Sequence, residues 1–112
     1  MIRAGLNEFT LGWFIGDFEP SILSSKDFEV GVKFFLQGES EPIHYQRTAV
    51  EITLVISGEC ALAGQLLSAG DILRLEPLEA GDFEALTDCT LVVVKCPSLT
   101  QDKVQSVSAS KS

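Results

Sequence analysis

The fold of this chain is most restricted by a rhythm. Short runs of β-branched and aromatic residues follow one another at intervals of about ten, each cut off by glycine or proline, and no helical period of three or four survives beyond a turn. Between Asp27 and Gln37 the residues Phe28, Val30, Val32, Phe34 and Leu36 alternate with Glu29, Gly31, Lys33, Phe35 and Gln37, the pattern of a half-buried strand ended by Gly38. After Glu51 the run ITLVIS reads as a strand entering a core and leaving at Gly58. Cys60–Leu62 and Gln65–Leu67 flank Ala63-Gly64, a short hairpin signal, and Ser68 to Asp71 makes a further turn. Ile72, Leu73 and Leu75 precede Pro77, FEALTD is short, and LVVVKC is a β-branched strand closed by Pro97. Upstream, the aromatic segment Phe9–Phe18 suits one or two edge strands. Many short strands without a helix argue an all-β sandwich or barrel.

At 112 residues and 46% hydrophobic content the chain is one domain's worth, with a core that needs no disulfide. Residues 1–97 are expected to form that domain, with 98–112 a polar, serine-rich tail that is either loose or strapped onto a neighbour. Sixteen acidic residues against eight basic leave a net charge of −8, which repels nucleic-acid phosphates and anionic lipid. Neither nucleic acid nor membrane is an expected partner. No secretory leader pattern and no long apolar run is visible, so a cytoplasmic location is the default expectation. Cys60, Cys89 and Cys96 are odd in number and lack a Cys-x-x-Cys pair, which favours reduced, buried thiols acting as small hydrophobes.

The only histidine sits in GESEPIHYQRTAVEITLVISG, Gly38 to Gly58. His44 and Gln46 are two apart and share a side of any strand, and RTAV leaves room for a turn before Glu51, so an imidazole, an amide and a carboxylate can converge. Tyr45 and Arg47 alternate away from them, toward packing or solvent. Lys33 has the look of a plain surface charge, and Trp13 suits either a barrel mouth or a subunit contact.

The spacing of Gly38, His44, Glu51 and Gly58 resembles the first motif of the cupins, with Gln46 in place of the second histidine. In GDILRLEPLEAGDFEALTD, Gly70, Pro77 and Gly81 resemble the second motif, with Pro77 one place late, Glu84 where a histidine belongs and Asp88 where an asparagine belongs. The resemblance implies a double-stranded β-helix, or jelly roll. It also implies a divalent metal ion held by His44, Gln46, Glu51 and Glu84, with Glu51 or Glu84 moving protons. Asp88, beside Thr87, reads more readily as a turn residue than as a ligand. An oxygen-rich ligand set tilts the choice to Mn, Fe(II) or Mg, while the general order of affinities pulls toward Zn. The implied function is isomerase, epimerase or lyase chemistry on a sugar-like or carboxylate metabolite. The alternatives are a non-catalytic pocket for such a ligand and a structural barrel without metal. A homodimer formed through the Phe9–Phe18 segment is expected as well.

Overall fold

A computed structural model describes residues 1–105. Residues 106–112 of the expected tail lie outside the described residues.

After two single turns at Leu6–Glu8 and Thr10–Gly12, the chain forms β1 (Trp13–Gly16), β2 (Leu23–Ser24), β3 (Glu29–Phe35), β4 (Ser40–Gln46), β5 (Val50–Ser57) and β6 (Glu59–Leu62). It continues through β7 (Gln65–Ser68), β8 (Ile72–Leu75), β9 (Gly81–Ala85), β10 (Cys89–Cys96) and β11 (Lys103–Gln105). One sheet runs β2-β1-β3-β10-β5-β8, the other β11-β4-β9-β6-β7. This is the expected all-β jelly roll. Among the described residues, no helix is long and apolar enough to cross a membrane.

The turn chemistry explains the tight connections. Ala63 and Gly64 both have positive φ, 51° and 77°, the condition for a two-residue turn whose twist matches its strands. Gly58 turns β5 into β6 at φ 82°, in a place where a Cβ would lie 2.1 Å from the Asp88 carbonyl oxygen.

The core lies between the sheets. Val55, Leu91 and Val93 from the six-stranded sheet meet Cys60, Leu62, Leu67, Phe83 and Ala85 from the other. The rings of Phe35 and Phe83 join the two layers with centroids 4.4 Å apart. Cys60 and Cys89 belong to this core as free thiols. Burial, with Cys89 adding to it, pushes the Cys60 thiol up to about 11, and burial followed by Asp88 raises Cys89. Thiols held protonated in this way pack as hydrophobes.

β3 alternates as the sequence implies, but its less apolar row is the one that looks inward. Gly31 is directly opposite Trp13, and a Cβ there would come within 2.7 Å of the indole, so the glycine makes the seat on which the ring lies. Lys33 and Phe35 share that side. The apolar row, Val30, Val32 and Phe34, looks outward with Val92, Val94, Ile52, Leu54 and Ile72 of the neighbouring strands. Leu6, Phe9, Phe14 and Ile22 line a shallow hollow with Val32 and so screen part of this surface. Phe34 and Ile72 remain 64% exposed.

Candidate functional site: a lysine-lined cavity between the sheets

At the end of the sandwich above the Phe35–Phe83 contact lies a cavity of about 290 Å³. Trp13, Lys33, Glu51, Thr53 and Lys95 come to it from the six-stranded sheet, Glu41, His44 and Lys103 from the five-stranded one. Each arrives by strand alternation. Lys95 on β10 is the register partner of Glu51 on β5, while Lys103 on β11 is paired with Gln46 on β4 and so lies beside His44.

His44 is buried, and its Nδ1 lies 3.2 Å from the Pro42 carbonyl oxygen. A carbonyl can only accept, so Nδ1 carries a hydrogen and Nε2 is the nitrogen that can exchange a proton. Glu51 is half-buried and also in the wall.

Three of the chain's five lysines gather here. Lys33 Nζ and Lys95 Nζ stand 5.4 and 5.1 Å from the Trp13 ring centroid, both within cation–π reach. Lys103 Nζ stands 3.9 Å from Glu41 Oε2, a loose pair that remains partly exposed. Burial lowers the pKa of Lys33; Glu41 acts against that shift, and Lys103 and Lys95 act with it. The cavity thus sets three ammonium groups against the carboxylates of Glu41 and Glu51, a local excess of positive charge in a chain of net charge −8.

β11 is held by Asp102. Its buried carboxylate accepts the Thr48 N–H at 3.0 Å and the Ala49 N–H at 2.9 Å, and its carbonyl accepts the Arg47 N–H at 2.9 Å. Within the polar stretch from residue 98, Lys103–Gln105 is thus an edge strand of the sheet and supplies one of the three lysines.

The four residues implied as ligands do not come together. His44 and Glu51 share the cavity, but Glu84 lies on the outer face of β9, where Gly81, Phe83 and Ala85 take the buried positions and Asp82 and Glu84 the exposed ones. Strand parity decides this, because Phe83 is needed in the core. Glu84 is thus neither ligand nor proton carrier for the cavity. Gln46 is 4% exposed on the same face as His44, yet it is not in the cavity wall, and its Nε2 is buried without a partner. Asp88 caps a turn, accepting the Gln37 N–H at 2.8 Å.

The donor set does not fit a divalent cation. Among the described residues no three His, Cys, Asp or Glu side chains stand together in a metal-holding group. Three ammoniums share the walls with the available imidazole and carboxylates. An added double positive charge would raise the electrostatic cost of the cavity, whereas an anion lowers it.

Gln46 offers a separate check. An unpaired buried amide donor costs roughly 1–3 kcal/mol, so Gln46→Met, which keeps the length and removes the donor, is expected to raise stability by about 1 kcal/mol. Urea denaturation measures it.

No protein-family model and no curated protein matches this chain. Solved structures do. An uncharacterized conserved protein with a double-stranded β-helix domain from Klebsiella pneumoniae superposes with a TM-score of 0.69 at 20% identity, over 93% of this chain and 90% of that one. An RmlC-like cupin from Shewanella frigidimarina gives 0.62 at 20% identity over 67% and 70%. The bacterial pirin YhhW from Escherichia coli, in complex with nickel(II), gives 0.67 at 18% identity; 79% of this chain matches 39% of that larger one. At such identities the likeness establishes the fold, which is that of the cupins.

Proposed function

We propose that this small protein of the cupin fold binds a carboxylate-bearing metabolite between its sheets and moves a proton on it, in an isomerase or lyase type of reaction. The observation that carries this reading is the convergence of Lys33, Lys95 and Lys103 on one cavity of an otherwise acidic chain. A cavity of about 290 Å³ takes a small metabolite, lying just below the range of about 300–1,000 Å³ usual for ligand sites. The ammonium groups supply the charge complement, and Trp13 with Phe83 supplies apolar walls that strengthen each ion pair by excluding water. His44 Nε2 and the Glu51 carboxylate are the groups able to give and take a proton.

Titration calorimetry with a panel of small mono- and dicarboxylates, run beside their uncharged amides, tests the reading. Acids are expected to bind, more weakly as salt is added, and amides not. Equal binding of acid and amide refutes it. Lys95→Met should weaken binding of the acids by about 10- to 100-fold, the scale of a lost charge-assisted hydrogen bond.

The pH dependence has a definite sign. A bound anion favours the charged form of Lys33, whose pKa lies below its ordinary 10.5. Affinity is therefore expected to fall as pH rises through that depressed value. Without ligand, the unfolded chain binds the extra proton between the depressed value and 10.5, so stability rises with pH across that alkaline window.

The second copy expected of this chain fits the outer face of the six-stranded sheet better than the Phe9–Phe18 segment. Phe34 and Ile72 are open there, whereas Phe9 and Phe14 are partly covered by their own neighbours. A mainly apolar sheet face, carrying the exposed Arg74–Glu76 pair only at its β8 edge, suits a two-fold contact between acidic chains. Light scattering is expected to report twice the chain mass, and a Phe34→Glu, Ile72→Lys double variant the single mass. A wild-type chain that scatters as a monomer at micromolar concentration refutes the dimer.

A further inference from the structure

We infer that Lys33 is a carbonyl-reactive amine, and that the metabolite held in the cavity is a small 2-oxo acid which Lys33 binds covalently as an imine. The inference rests on the carboxylate-binding reading above and names the substrate class for it.

Geometry sets Lys33 apart from the other lysines. It rises from the inner face of the central strand β3, where it is half-buried, while Lys26 is exposed in the connection before that strand. Lys95 stands on the neighbouring strand β10 and Lys103 on the edge strand of the facing sheet, and all three amines line one cavity, so a small 2-oxo acid whose carboxylate pairs with those two would present its carbonyl carbon to Lys33. The Trp13 ring supports Lys33 from below at 5.4 Å. Partial burial lowers the pKa of Lys33, with Glu41 opposing and Lys103 and Lys95 adding to the shift, so Lys33 gives up its proton to become a nucleophilic amine more readily than an exposed lysine does. The groups that face Lys33 are then Glu41 and His44 from β4, Glu51 from β5, Lys95 from β10 and Lys103 from β11.

The chemistry balances with these residues and a solvent proton. The lone pair of neutral Nζ attacks the carbonyl carbon, a C–N bond forms, and the carbonyl π electrons pass to oxygen. One Nζ proton goes to the new hydroxyl side through a carboxylate or His44 Nε2. With that proton on oxygen the adduct is a neutral carbinolamine. A second proton, drawn from solvent and delivered through His44 Nε2 or a cavity carboxyl group, lets the hydroxyl leave as water as the nitrogen lone pair closes the C=N bond, giving an iminium whose charge the Glu41 and Glu51 carboxylates offset. Nothing is oxidised or reduced, and hydrolysis returns both partners. The iminium acidifies the C–H bond beside it, which gives the proton transfer of the proposed function an electron sink made from this chain's own amine.

Pyruvate with sodium cyanoborohydride is the test. Hydride reduces the imine to a stable secondary amine, and intact-mass measurement with peptide mapping locates it. One adduct on Lys33 is expected, its yield rising with pH where simple anion binding falls. Lys33→Arg should abolish the adduct while circular dichroism shows the same fold. A label spread over Lys26 and the other lysines, or none at Lys33, overturns the inference. If carboxylates bind in calorimetry while no adduct forms on Lys33, the imine fails and the anion site stands. If no carboxylate binds, both fail.

Discussion

Gly58→Ala is expected to cost about 4 kcal/mol, whereas Gly38→Ala, at the other end of the same motif, should cost only about 1 kcal/mol. Both glycines have φ in the left-handed region, 82° and 88°. Each alanine therefore takes on the backbone strain of a Cβ at positive φ, roughly 1–2 kcal/mol. The difference lies in what surrounds them. A Cβ on Gly38 meets nothing within 4 Å, but one on Gly58 comes within 2.1 Å of the Asp88 carbonyl oxygen and 2.7 Å of Cys89 Cβ. Those are atoms of the turn into β10, and β10 pairs with both β3 and β5 at the centre of its sheet. Relief thus requires moving the central strand, and Cys89 is itself fully packed. A loss of this size corresponds to a fall in Tm of roughly 15–20 °C for a domain of this length. Thermal unfolding of the two variants side by side checks it. Equal losses would show that conformation alone places a glycine at position 58.

That contrast shows how the fold could be read from residues. The turns, the alternation and the glycine spacing are local, and each is written in a few adjacent side chains. His44 and Glu51 were legible for the same reason, because parity and a turn decide where both point. Glu84 was not, because the choice between Phe83 and Glu84 for the inner face of β9 depends on the core across the sandwich, where Phe35 waits. Lys33 misled in the opposite sense. Its strand has a more apolar row on the far side, and only the indole of Trp13, seated on Gly31, shows which row faces the cavity. Lys95 carried a usable signal, a charge closing an uninterrupted run of valines, since a half-buried lysine on the inner row of a central strand has a task. Lys103 carried none by itself. A polar, serine-rich stretch gives no strand pattern, and its place follows from Asp102 meeting N–H groups from a turn more than fifty residues earlier.

Asp102→Ala should bring the two themes together, lowering stability by about 3 kcal/mol and weakening carboxylate binding along with it. The carboxylate is 8% exposed and accepts N–H groups from Thr48 and Ala49, the latter on a residue 1% exposed. Water cannot replace it at Ala49. Charge-assisted hydrogen bonds to backbone are worth roughly 1.5–3 kcal/mol each, and a buried donor left unpaired adds a desolvation penalty of similar size. Not all of that is lost, since the turn can relax toward solvent at Thr48, which is exposed. Asp102→Asn keeps one acceptor oxygen and should cost about half as much. The binding consequence follows from the chain. Asp102 directly precedes Lys103, so a β11 that frays from β4 withdraws one of the three ammoniums from the cavity and releases Glu41 from its pair. Lys103→Met removes the same charge without touching the anchor, and serves as the comparison. In both variants calorimetry should show carboxylate affinity reduced by about 10-fold or more, but only Asp102→Ala should lose stability in urea. If Asp102→Ala loses stability yet binds carboxylates as well as wild type, β11 is a structural strap and Lys103 has no part in the site.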